Sequence, residues 1–348
     1  MSATTPATSR LKAVRALALA GAFALTAGAL TACDNAGGGA TDDSKSIGVL
    51  MLVQSDEAGQ RILGAINKQL ENYPAYQISI IDANYDPSKE LAGMDTFINK
   101  GVDGIITVFT DNELLKAKLS LAGQQGIPVV AVAGGPAVDG VTANIDTPEE
   151  DAGAALAQQT LDDMAAAGKS ELIKMVLPEA VPCKRRVAGM DTVLSKHPEI
   201  TQVEYHIDGG NPVPAAKDYL ASRLSSDDDL GGILSCWDVP MMGALTAVKA
   251  AGVDGETFAG SGINGTSDAV QAMQDGDPYF DALVTFGWAN AGYSAVETIN
   301  SIFTGADFTA EAEVQWEVLT PANVPDAPLL EPEEWLPEGW GADYWANN

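Results

Sequence analysis

Between Gly101 and Gly135 the chain switches from an apolar run to helical spacing and back, which predicts one complete strand–helix–strand unit. Residues 103–109 hold Ile105, Ile106, Val108 and Phe109 almost without interruption, the mark of a parallel strand covered on both faces. Leu115, Leu119 and Ala122 then share one helical stripe, with Thr110 and Glu113 at capping-box spacing and Gly126 placed to end the helix. Pro128 forbids continuation, and Val129 to Val132 repeat the buried-strand pattern before Gly134-Gly135 ends it. Open sheets of parallel strands take their ligands outside the carboxyl ends of the strands. Phe109-Thr110-Asp111 and Ala133-Gly134-Gly135 are therefore expected to face a cleft, although helix capping accounts for Thr110 and, equally well, for Asp111.

The same alternation extends both ways. Strands are predicted at 47–53, 77–82 and 141–145, with helices at 57–72 and from Asp86-Pro87 to Lys100. Thr147-Pro148-Glu149-Glu150 opens a further helix, with Thr147 as N-cap and Glu150 at capping-box distance. The rhythm then restarts, with strands at 172–177, 201–207, 231–236, 257–263 and 282–286 separated by helices at 186–197, 215–225, 240–251 and 267–274. A helix at 291–303 and a last strand at 313–319 close the pattern. Two alternating halves predict an α/β fold of two Rossmann-like lobes, each built on a parallel sheet. From Pro321 the chain is Pro-rich and carries Trp335, Trp340 and Trp345, which are expected to pack against a lobe rather than stand exposed.

Charge narrows the function. The 348 residues carry 19 basic against 48 acidic side chains, a formal net charge of −29, whereas nucleic-acid binding needs a basic face. No nucleic-acid partner is expected. The amino terminus reads as a targeting segment: Arg10, Lys12 and Arg15 precede an apolar stretch from Leu17 to Leu30. Leu30-Thr31-Ala32-Cys33 resembles a bacterial lipobox, in which a peptidase cuts before the cysteine and the cysteine carries a diacylglycerol. Residues 1–32 would then be a signal peptide, Cys33 the lipidated first residue, and 33–45 a Gly- and Asp-rich tether holding the protein at the outer face of the cytoplasmic membrane. Only Cys183 and Cys236 remain, an even pair that an exported protein can bond or leave as two thiols.

No G-x-x-x-x-G-K-[ST], H-E-x-x-H or G-x-S-x-G motif occurs, so neither an enzyme, a cofactor nor a metal site is expected. His197 and His206 stand apart from any second ligand and are expected to be structural.

Residues 46 to about 320 resemble the type I periplasmic sugar-binding family, receptors of ABC importers. The resemblance rests on Asp82-Ala83-Asn84-Tyr85-Asp86-Pro87, Gly101-Val102-Asp103-Gly104, Gly126-Ile127-Pro128, Arg186-Val187-Ala188-Gly189-Met190, Trp237-Asp238 with Met242-Gly243-Ala244-Leu245, and Gly262-Ile263-Asn264-Gly265-Thr266, in the right order. It implies two lobes joined by three crossovers near Asp146, Phe286 and Asp307. The lobes would comprise 46–145 plus 287–307 and 146–286 plus 308–320, with 321–348 as a tail. It also implies a ligand in the cleft, a sugar first, and a permease and ATPase as partners.

Where ribose-type relatives have Asp-Arg after the fourth strand, Gly134-Gly135 stand here; Trp237 precedes Asp238 where an asparagine is usual, Asn264 replaces an aspartate, and Phe286 a glutamine. The expected ligand residues are Asp56, Tyr85, Asp111, Arg186, Trp237, Asp238, Asn264 and Phe286. Trp237 or Phe286 would stack a ring while Asp238, Asn264 and Arg186 bond its hydroxyls, and a nucleoside would suit the same walls. Asp238 as a helix cap and Tyr85 as a rim residue are equally open, and Lys184 and Arg185 read as solvated. A lipoprotein that presents its ligand to a membrane sensor is the alternative to an importer component.

Overall fold

The computed structural model describes residues 44–224 and 230–325. Cys33, the segment expected to be a signal peptide, and Trp335, Trp340 and Trp345 lie outside the described residues.

Two six-stranded sheets carry the fold. The first contains β1 (Lys45–Met51), β2 (Tyr76–Asp82), β3 (Gly104–Val108), β4 (Val129–Val132), β5 (Ala143–Asp146) and β11 (Glu311–Glu313), in the order β11-β5-β4-β3-β1-β2 and parallel throughout. The second contains β6 (Glu171–Val176), β7 (Thr201–His206), β8 (Leu230–Ser235), β9 (Ala259–Asn264), β10 (Ala282–Phe286) and β12 (Trp316–Leu319), in the order β12-β10-β9-β8-β6-β7. Here β12 runs antiparallel to β10 and the other neighbours are parallel. The helices that join and cover the strands are α1 (Glu57–Leu70), α2 (Pro87–Lys100), α3 (Asn112–Gln124), α4 (Glu149–Ala167), α5 (Val181–Leu194), α6 (Pro212–Leu224), α7 (Asp238–Ala251), α8 (Ser267–Gln274) and α9 (Trp288–Thr304).

Burial follows position in the sheet. Strands β3, β4, β8, β9 and β10 are buried at every residue, because helices cover both faces. The edge strands β2 and β7 alternate between half-buried and exposed positions.

The chain passes from the first sheet to the second after Asp146, back after Phe286, and across again between Glu313 and Trp316. The last crossing falls later than Asp307, and the single strand expected at 313–319 is two short strands in different sheets. Hydrogen bonding explains the break: Val314 N donates to Asp146 O (2.8 Å) and Gly287 N to Gln315 O (2.9 Å), so the three crossings lie side by side and bond one another. Strand β11 is polar because it forms an edge, which left its sequence without a strand signal.

Helix starts differ from expectation in ways that matter below. Helix α3 is capped by Asp111, whose carboxylate accepts from Glu113 N (2.9 Å) and Leu114 N (3.1 Å), and not by Thr110. At α4 the N-cap is Pro148, and Thr147 Oγ1 instead donates to Glu149 Oε1 (2.8 Å). Helix α5 begins at Val181, with Pro182 in its first turn, so Arg186 sits in its second turn rather than at its start. Among the described residues, no helix is long and apolar enough to cross a membrane.

Candidate functional site

A cavity lies between the lobes, at the carboxyl ends of strands from both sheets. The first lobe contributes Leu52, Val53 and Asp56 from the turn after β1, Tyr85 after β2, and Phe109 after β3. From the second lobe come Leu177 and Ala180 at the β6–α5 turn, Pro182, Cys183 and Arg186 on α5, Trp237 after β8, and Asn264 at the end of β9.

Five of the eight expected ligand residues, Asp56, Tyr85, Arg186, Trp237 and Asn264, thus meet in one cavity. The other three do not line it. Asp111 is spent on the cap of α3. Asp238 is fully buried at the first position of α7, where its Oδ2 accepts from Thr266 N (2.7 Å) and Thr266 Oγ1 (3.0 Å). Phe286 is buried behind the wall, its ring 4.8 Å from that of Trp288 and 5.4 Å from the Arg186 guanidinium.

That aromatic backing runs across the lobes. Phe109 meets Trp288 edge-on at 5.1 Å, Trp288 meets Phe286, and Phe286 faces Arg186; Trp288 Nε1 also donates to Asn264 O (3.2 Å). Trp288 went unnoticed in the sequence because α9 was expected to begin at Ala291, which left Gly287-Trp288 as linker.

Backbone strain concentrates at the same edge. Asn84, Tyr85, Phe109, Ala133 and Asn264 have φ of 50°, 58°, 59°, 51° and 146°, and each stands at or just past the end of a strand. Non-glycine residues adopt such values rarely and at a cost, and they persist where function holds them. Three of the five line the cavity.

Asp56 caps α1, its Oδ1 accepting from Ala58 N (2.9 Å) and Gly59 N (3.3 Å). Burial pushes its carboxyl up, while those bonds and the Arg186 charge pull it down. Burial also raises the Tyr85 phenol, helped by the negative charges of Asp56 and Asp82. The Asp238 carboxyl is pushed up to about 7, first by burial, against the Thr266 bonds.

Arg186 is 2 % exposed and does not meet the cavity as a free cation. Its Nε donates to Glu149 Oε2 (2.5 Å), its Nη2 to Glu149 Oε1 (3.2 Å), and its Nη1 to Cys236 O (2.8 Å). Two glycines allow this pairing. A Cβ on Gly153 of α4 would stand 2.0 Å from Arg186 O, and one on Gly189 of α5 would stand 1.9 Å from Glu150 O, so the helices cross at backbone contact only because both positions lack side chains. Arg185 is not solvated: it bonds Asp146 (2.7 and 2.9 Å) and Glu150 (2.8 to 3.1 Å), tying α5 to the first crossing. His197 and His206 pair with the exposed Glu199 and Glu204.

Cys183 and Cys236 are joined by a disulfide. Cys183 lies in the first turn of α5 and Cys236 directly after β8, so the bond links the two segments that carry Arg186 and Trp237.

Two buried polar atoms of the wall, Trp237 Nε1 and Asn264 Oδ1, have no hydrogen-bond partner among the described residues. Buried donors and acceptors are normally satisfied, so a donor and an acceptor without partners on residues that line one cavity favour a polar ligand there. The two lobes also touch outside the cavity. Glu57 accepts from Ser267 N (3.0 and 3.1 Å) and Ser267 Oγ (2.7 Å), and Arg61 Nη1 donates to Gly265 O (3.0 Å) while Nη2 bonds Glu57 (2.5 Å).

Known proteins share this architecture. A xylitol-binding protein of Mycolicibacterium smegmatis is 28% identical over 267 residues, which cover 76% of this chain and 73% of that one. An ABC sugar transporter subunit from Rhodobacter sphaeroides superposes with a TM-score of 0.72 at 23% identity, over 80% of this chain and 99% of that one. An ABC transporter solute binding protein from Agrobacterium vitis with bound allitol gives 0.72 at 21% identity, over 81% of this chain and 97% of that one. At these identities the two structures show a common fold. The family model described as periplasmic binding protein domain matches residues 47–307, most of the chain, and the protein belongs to that family.

Proposed function

We propose that the protein is the solute-binding component of an ABC importer, taking a small polyhydroxylated ligand, a sugar or polyol, into the cavity between its lobes. The observation that carries this reading is the pair Trp237 Nε1 and Asn264 Oδ1, without partners among the described residues, on a wall that also holds Asp56, Tyr85 and Phe109. A hydroxyl both donates and accepts, so one kind of group answers a donor, an acceptor and a carboxylate together, while C–H faces lie on the aromatic rings. The xylitol-binding relative supports the same class. Leu30-Thr31-Ala32-Cys33 after a charged and apolar segment supports lipid anchoring at the outer face of the membrane, where the permease would receive the ligand. A Cys33→Ser protein that still fractionates with membranes would overturn the anchor.

Thermal-shift screening against pentoses, hexoses, polyols and nucleosides tests the ligand class. A ligand at a hundred times its dissociation constant adds about 2.7 kcal/mol and raises the midpoint visibly. A shift with nucleosides alone would replace sugar by nucleoside. Partner capture separates the importer from a membrane sensor: a permease with its ATPase supports the first, a histidine kinase the second.

The clasp between Glu57, Arg61, Gly265 and Ser267 bonds the two lobes to each other at residues that do not line the cavity. Arg61→Ala and Glu57→Gln are each expected to weaken ligand affinity by about 1 kcal/mol, roughly fivefold, through faster release. Stopped-flow dissociation checks this, and unchanged release rates would leave the clasp without a part in closure.

A further inference from the structure

We propose that Glu149 sets the charge selectivity of the cavity: by holding Arg186 in a buried, charge-cancelled pair, it makes the site take uncharged polyhydroxylated ligands and refuse their acidic counterparts. The inference rests on the sugar or polyol reading above and adds a ligand class to it.

Among the described residues that line the cavity, Arg186 is the one cation. An arginine at a sugar site invites carboxylates, because its planar donors match them two at a time. Here those donors already hold a carboxylate. Glu149 takes Nε and Nη2 with both oxygens, and Cys236 O takes Nη1, so three of the five N–H groups are used inside the chain. The two that remain can bond neutral hydroxyls one at a time. Glu149 is 0 % and Arg186 2 % exposed, so no water separates or screens the pair, and at this range the two charges cancel.

Among the described residues of the wall, no second cation offsets the charge of an acidic ligand. Asp56 lines the cavity, and Asp238 is buried near enough to feel both Asp56 and Arg186. A ligand carboxylate would give up its hydration and meet no net positive charge in return. A neutral ligand incurs none of this.

The pair is also built. Gly153 and Gly189 let α4 and α5 approach until Glu149 lies over Arg186, and Thr147 Oγ1 bonds Glu149 Oε1 (2.8 Å), fixing the carboxylate from its other side. Glu149 itself does not line the cavity. It acts through Arg186 as a positioning residue, and a role in folding alone would change stability without altering which ligands are preferred.

The test is titration calorimetry of the full chain with matched probes: xylitol against D-xylonate, D-ribose against D-ribonate, and D-galactose against D-galacturonate. For whichever neutral probe binds, the wild-type protein is expected to bind the acid about 100-fold more weakly. In Glu149→Gln the gap is expected to narrow to about tenfold or less through a gain by the acid, since Arg186 then carries an uncancelled charge. Glu149→Gln leaves a buried cation unpaired and can fail to fold, so the wild-type ratio stands as a measurement by itself. Glu149→Gln with Arg186→Gln removes both charges and should give the acid no advantage. A wild-type acid affinity within tenfold of its neutral partner overturns the proposal, as does a folded Glu149→Gln protein with an unchanged gap. If no neutral probe binds at all, the sugar or polyol reading falls first and this inference with it.

Discussion

Replacing Cys183 and Cys236 together by serine is expected to lower the stability of the protein by about 4 kcal/mol, the loop entropy released when a cross-link over a 53-residue separation is lost. The melting midpoint should fall by about 7 °C. The position of the bond adds a second effect. It fastens the first turn of α5 to the end of β8, and those two segments carry Arg186 and Trp237 into the cavity. Affinity should therefore fall along with stability, and reduction of the wild-type protein should reproduce both losses. In a Cys33→Ser background, titration of the denatured, unreduced protein should find no free thiol. Two free thiols, or a serine variant with an unaltered midpoint, would show that the bond has no part in the native protein.

Much of this cavity could be read before the structure, and the reason is topological. In a parallel sheet the residue just past a buried strand must stand at the carboxyl edge, where ligands bind. Asp56, Tyr85, Trp237 and Asn264 occupy such positions, so the boundaries of β1, β2, β8 and β9 were enough to bring them together. Which way a side chain turns at that edge is not in the strand pattern. Asp111 turns to the amide groups of α3 and Asp238 to Thr266, each within its own lobe, and Phe286 turns to Trp288 across the lobes and to Arg186. Glu149 was hidden for another reason. Consecutive acids at a helix start are ordinary complements of the helix dipole, and Glu149-Glu150 fit that role. Their partners, Arg186 and Arg185, lie far along the chain and reach them only through the close crossing at Gly153 and Gly189. The third crossing was misplaced because β11 and β12 are short edge strands with polar faces, whereas the buried strands announce themselves as apolar runs.

Trp237→Ala is expected to cause the larger loss of affinity. Trp237 is 7 % exposed, lines the cavity, and has its Nε1 unpartnered among the described residues. Three contributions would go at once: the apolar area covered by the ligand at about 25 cal/mol per Å², a stacking increment of about 0.5–1.5 kcal/mol, and a hydrogen bond of about 1 kcal/mol. Together they amount to roughly 2–4 kcal/mol, so the dissociation constant should rise about thirtyfold to a thousandfold. Truncation also costs the second lobe packing, and stability would fall even if Trp237 never met a ligand. A lower melting temperature therefore cannot decide its role. Trp237→Phe can. Phenylalanine keeps an aromatic face and most of the packing but has no N–H, so its midpoint should stay close to wild type while affinity falls by about 1 kcal/mol, roughly fivefold. Calorimetry on both variants, with the ligand found by screening, separates face from donor. Loss in Ala with wild-type affinity in Phe would assign Trp237 to stacking alone and leave Nε1 outside recognition. Wild-type affinity in the folded Ala variant would remove Trp237 from the site and confine it to the packing of the second lobe.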